Sequence, residues 1–178
     1  MGSEPFEEML TGGHPNSLGR TIEVVDLVLA DRARLEELYA CYGSRDEVVR
    51  LRVSNALRRV QAEQPAWLLP FIDRLIEEIG ALDQASAQWT LAKLFERAWS
   101  DMSAAQRARA KALVQRNLAE HDDWIVLNNS IEALVNWAEE DPKLRAWLPD
   151  RLERLSRDER QSVAKRAGKA LKRLDEPN

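Results

Sequence analysis

The sequence predicts an all-α chain of stacked helical hairpins. Three observations carry this expectation: an apolar stripe of helical spacing that returns about every 38 residues, helix-start residues that return between the stripes, and no alternating strand pattern. The stripe is clearest in DEVVRLRVSNALRRV, where Val49, Val53, Ala56, Leu57 and Val60 share one helix face. Ala87, Leu91, Leu94, Phe95 and Ala98 repeat it, as do Val126, Ser130, Ala133, Leu134 and Trp137, and then Val163, Ala167, Ala170, Leu171 and Leu174. Leu18, Ile22, Val25 and Leu29 echo it less well, because Asp26 falls where Leu57 does.

Taken in order, the elements begin with a short helix over 4–10, stopped by Gly12, Gly13 and Pro15, after which Asn16 or Ser17 is expected to cap the next helix. Helices follow over 17–29, 31–42, 46–62, 66–79, 84–99, 103–120, 123–139, 142–155 and 158–174. Pro65 and Pro142 read as helix starts, since a first-turn amide has no intrahelical partner to lose. The same two segments, EQPAWLLPFIDRLIE and EDPKLRAWLPDRLER, also match Asp73 with Asp150, Arg74 with Arg151 and Leu75 with Leu152. Ser103 is a good N-cap. Pro70 and Pro149 fall inside proposed helices and are expected to kink them. Each repeat is thus an A helix carrying the stripe and a B helix packed beside it, joined by polar turns such as GSRD and EHDD.

A two-helix period of roughly 40 residues is the signature of HEAT or armadillo stacking, where one hairpin cannot bury its own apolar face and its neighbours complete the core. Asp46, Val49, Arg50, Val53, Ala56 and Leu57 resemble the HEAT consensus for the first helix of a unit. LTGG at 10–13 with SLGR at 17–20, DEVVRLRVSNAL and QWTLAKL at 88–94 resemble segments of small bacterial HEAT-repeat proteins over the span Leu10 to Leu174. The arginine after the first valine is present only as Arg50, with Gln88, Leu127 and Ala164 in the other copies. The resemblance implies a right-handed α-solenoid of about four to five hairpins, of armadillo type, and a binding role. The expected organisation is one domain over 1–178: a short helix and loop to residue 16, repeats over 17–174 and a tail over 175–178.

Composition narrows the function classes. A net charge of −4 argues against a general polyanion binder, because non-specific nucleic-acid affinity comes mainly from phosphate neutralisation. One cysteine, Cys41, and two histidines, His14 and His121, give neither a disulfide framework nor a metal cluster, and no metal or other cofactor is expected. Cys41 is expected to be a small buried side chain. The N-terminus lacks a leader pattern and no apolar run approaches a membrane span, so a cytoplasmic location without membrane association is expected. No nucleophile and base are recognisably paired, and catalysis is not expected.

The leading expectation is therefore a scaffold binding a protein or peptide along the B helices through Arg74, Arg116 and Arg151 with Trp67 and Trp147. A second candidate is the basic end of the chain. Residues 143–173 hold eleven Lys or Arg against four Asp or Glu, and Lys165, Arg166, Lys169, Lys172 and Arg173 face away from the stripe of their helix. That patch could take nucleic acid, an architecture related to HEAT-like alkylpurine DNA glycosylases, although no motif matches such an active site. A third is the loop TGGHPNSLGR, where Ser17, Gly19 and Arg20 would offer an anion site at a helix N-terminus. The arginines of 46–60 do not share a face, Arg50 being placed to pair with Asp46 and Arg59 with Glu63, and the helix reads as a wall of the solenoid fixed by packing. Trp137 and Trp99 are expected in packing, as are Trp89 and Trp124, and one of Asn128 and Asn129 is expected to bond between repeats.

Overall fold

The computed structural model describes residues 4–176 and contains helices and turns with no strand among them. Residues 1–3 and 177–178, at the ends of the expected first segment and tail, lie outside the described residues. The chain divides into two compact units, one ending at Met102 and the other beginning at Ser103.

The first unit holds α1 (Phe6–Leu10), α2 (Thr21–Ala30), α3 (Leu35–Ala40), α4 (Glu47–Glu63), α5 (Ile72–Arg74) and α6 (Ala85–Ala98). Here α2 packs on α4 and α4 on α6. The predicted stripe makes this core: Val49, Val53, Ala56 and Val60 of α4 are inaccessible to solvent, as are Ala87, Leu91, Leu94 and Phe95 of α6. Each large aliphatic side chain so buried contributes roughly 1.5–3 kcal/mol, against a few tenths for a surface charge pair. Gln61 fixes the two helices polar-side as well, its buried amide donating to Leu94 O at 2.9 Å. Asp46 caps α4 by accepting from the Val48 amide.

The second unit holds α7 (Ala104–Glu120), α8 (Trp124–Trp137), α9 (Pro142–Trp147), α10 (Pro149–Leu155) and α11 (Gln161–Asp175). Helix α8 packs on both α7 and α11, and α10 packs on α11. Ser103 and Gln106 form a reciprocal capping box at the start of α7. Asp123 caps α8 through the amides of Ile125 and Val126. Val126, Ser130, Ala133, Leu134 and Trp137 are buried, as are Val163, Ala167 and Ala170, while Leu171 and Leu174 at the chain's end are half-buried. Arg145 of α9 closes the last turn of α11 by donating to the carbonyls of Leu174 and Glu176.

The structure departs from the expected elements where proline and glycine act. Helix α2 begins at Thr21 instead of 17, because Ser17 Oγ accepts from the Gly19 amide in a turn and Gly19 takes a left-handed φ of 52°. No side chain caps that helix. Of the weaker echo of the stripe, Leu18 and Ile22 are exposed, Leu29 is half-buried and Val25 is buried. The helix expected over 66–79 is instead a 3₁₀ run Pro65–Phe71 containing Pro70, one α turn and a π turn Leu75–Ile79. Pro149 ends α9 and starts α10, so the expected 142–155 helix is two.

Candidate binding grooves and an internal arginine cage

The loop between α1 and α2 has a function inside the fold. Arg52 of α4 is only 2 % exposed, the largest fully buried side chain among the described residues. Its guanidinium donates to four backbone carbonyls: Nη1 to Leu10 and Gly12 at 2.6 Å each, Nε to Ser17 at 3.2 Å and Nη2 to His14 at 3.2 Å. A planar fork of donors suits convergent carbonyls. Left-handed Gly12, Gly13 and Gly19 let the loop curl around it, and a Cβ on Gly19 would stand 3.0 Å from Arg52 Cζ. The ion pairs expected over 46–60 are corrected. Arg50 bonds Ser44 O and Gln84 instead of Asp46, and Arg59 bonds Asn55 Oδ1 at 2.8 Å instead of Glu63.

Of the loop trio, Ser17 spends its hydroxyl on the turn and Gly19 lies against Arg52. Arg20 points the other way, bonded to Glu23 and to Glu4 at 2.8 Å each. Those bonds raise the Arg20 pKa well above its ordinary value, with burial opposing weakly.

The B-helix candidates are engaged with neighbours. In the first unit Arg74 pairs with Glu36 at 2.7 Å and Glu78 at 3.4 Å, and its guanidinium lies over the rings of Tyr39 at 4.2 Å and Phe71 at 5.6 Å. Trp67 is half-buried beneath Arg32. In the second unit Arg151 folds onto Trp147, 3.9 Å from the ring centre, and donates to the Trp147 carbonyl. Arg116 is exposed on α7 beside Asn117.

The basic end builds a groove. Between α8 and α11 lies a cavity of about 470 Å³ whose lining includes Lys165, Arg166, Lys169 and Arg173, four of the five predicted residues. Lys172 is exposed outside it. Arg166 pairs with Glu132 at 3.1 Å, and Arg173 with Glu139 and Asn136. The ammonium groups of Lys165 and Lys169 have no such partner among the described residues. Ile131, Val135 and Ala170 give the cavity an apolar side. Trp124 stands at it half exposed, at 50 %, which corrects the expectation that it packs inside. Asn128 lines it too: its Nδ2 reaches Ser162 at 3.4 Å and its Oδ1 is buried with no hydrogen-bond partner. Trp124 follows the cap Asp123 directly, so its side chain leaves the first turn before the stripe begins; that position was the legible signal.

A second groove, of about 350 Å³, lies between α4 and α6, lined by Asn55, Arg58, Arg59, Gln61, Ala62, Lys93 and Arg97. Cys41 lies apart from both and is buried; burial first, then Glu7 and Glu37, push its thiol up to about 11, far from a reactive thiolate at neutral pH. Among the described residues no group of three His, Cys, Asp or Glu side chains is placed to hold a metal ion, and no helix is long and apolar enough to cross a membrane.

The class that fold and grooves define is an all-helical protein with cationic clefts between stripe-bearing helices. No family model and no curated protein sequence matches the chain.

Proposed function

We propose that this chain is a non-enzymatic, HEAT-like helical-repeat protein that binds an acidic segment of another protein in the groove between α8 and α11. The repeating stripe supports the solenoid reading, because successive A helices bury it against one another within each unit. One observation carries the ligand class: the exposed Trp124 shares a groove with the unpaired Lys165 and Lys169 beside Ile131 and Val135. Aromatic anchors at a desolvating surface dominate interface energetics, and unpaired cations select the sign of the partner. A ligand with an apolar side chain between Asp or Glu residues satisfies all three features at once. The binding surface in this reading is the A-helix side of the second unit, with Arg74 and Arg151 serving internal packing.

The test is a selection of 15-residue peptides from a random displayed library on the full chain, followed by fluorescence anisotropy of the winners. Selected peptides are expected to be acidic with an apolar centre. Trp124→Ala combined with Lys165→Ala and Lys169→Ala, at exposed positions where circular dichroism should be unchanged, is expected to weaken them at least ~10-fold, about 1.4 kcal/mol. Equal affinity for the folded triple variant would overturn the reading. So would duplex DNA binding more tightly than any selected peptide with a steep salt dependence, which would assign the groove to nucleic acid.

A further inference from the structure

The groove between α4 and α6 differs in chemistry from the one above and belongs to the other unit. Arg58, Arg59 and Ala62 of α4 lie three, four and seven residues after Asn55, and Lys93 and Arg97 of α6 are four apart, so two helix faces present four cations to one cleft. No carboxylate is among its described lining residues, and Ile, Leu, Val and aromatic side chains are absent from that lining too. The side chains of Arg58 and Arg97 are exposed and have no ion pair or hydrogen bond among the described residues. Arg59 is held in place by Asn55 Oδ1 at 2.8 Å. Lys93 shares its charge with Glu96 at 3.3 Å. The base of the cleft is fixed, because the buried Gln61 amide ties α4 to the Leu94 carbonyl of α6.

We propose that this cleft binds a single phosphoryl dianion, that of a phosphorylated serine or threonine in a partner protein. Guanidinium groups on two rigid elements match phosphoryl oxygens with paired, charge-assisted hydrogen bonds, which a carboxylate fills less completely. The surroundings favour one compact dianion over a polymer. Residues 1–102 carry eleven Lys or Arg and seventeen Asp or Glu, a net −6 that repels an extended phosphate backbone. The cleft also lacks the aromatic platform that single-stranded nucleic acid uses. This site stands independently of the acidic-segment groove.

The experiment presents the full chain with two immobilised degenerate peptide libraries, identical except for phosphoserine or serine at the centre, and with a 12-nucleotide single strand and a 12-base-pair duplex. Preference for the phosphoserine library of at least ~10-fold is expected, lost in Arg58→Gln/Arg97→Gln. On wild-type protein the arginine Nε–H resonances of Arg58 and Arg97 are expected to shift on adding O-phosphoserine, a readout that needs no variant. Equal retention of the two libraries overturns the proposal, as does a preference that survives in the double variant. Tighter binding of either nucleic acid through the same arginines overturns it in favour of a backbone-phosphate site.

Discussion

Arg52 shows what a single residue can organise. A buried guanidinium is tolerated because four carbonyls replace its water, the one from Leu10 at a buried residue and the other three from the loop that covers it. Arg52→Met is therefore expected to destabilise the protein by about 3 kcal/mol or more, and Arg52→Lys by nearly as much, since a point charge cannot serve four separated acceptors. Gly19→Ala strains a left-handed backbone and meets the guanidinium, costing about 1–3 kcal/mol. Urea midpoints at constant m check all three; a loss below ~1 kcal/mol for Arg52→Met would show that the cage is dispensable. Little of this was legible in the sequence. A helical wheel separates Arg52 from Arg50 and Arg58, but its acceptors are backbone oxygens 35 to 42 positions away and leave no side-chain signature. The glycines of TGGHPNSLGR signalled an unusual loop without saying what it enclosed.

At the scale of elements, helix starts were the most legible features, because first-turn chemistry is local. Pro65 and Pro142 stand at first positions, Ser103 makes its capping box, and Asp46 and Asp123 cap α4 and α8. The interior of the 65–79 segment was not legible, since its 3₁₀ and π turns answer to packing around Leu68, Ile72 and Leu75 as much as to Pro70. One start carries a pH dependence. Asp141 caps α9 through Leu144 and pairs with Lys111, which foremost holds its carboxyl below the ordinary range. Asp158 is held at about 2, chiefly by Arg160. A folded-state pKa below the unfolded value gives stability that is complete above the unfolded pKa of about 4 and is lost as pH falls through the folded one. Asp141→Asn keeps a capping side chain and removes only the charge. Its urea midpoint is expected to lie below wild type at pH 6 and to converge on it near pH 2; a gap independent of pH would contradict the Lys111 pairing.

At the scale of the molecule, charge is distributed unevenly. The chain from Ser103 onward carries fifteen basic and thirteen acidic residues, +2, against −6 for the part before it. The α8–α11 groove thus offers cations on a weakly positive unit, and its affinity for an acidic peptide is expected to fall on the order of 10-fold between 50 and 500 mM salt. Affinity indifferent to salt would mean that Trp124 and the apolar side act alone. The sequence located this groove through the basic run 165–173, which composition exposes directly. It was silent on the neighbours of Arg74 and Arg151, which come from Glu36, Tyr39 and Trp147, because repeat spacing carries no information about them.

The carbonyl cage also sets an order of events during synthesis. Every oxygen that holds Arg52 is added to the growing chain before Arg52 itself. The first helix and its glycine loop therefore leave the ribosome without the cation that closes them, and the N-terminal turn of the protein must wait for the middle of α4 to emerge before it can set.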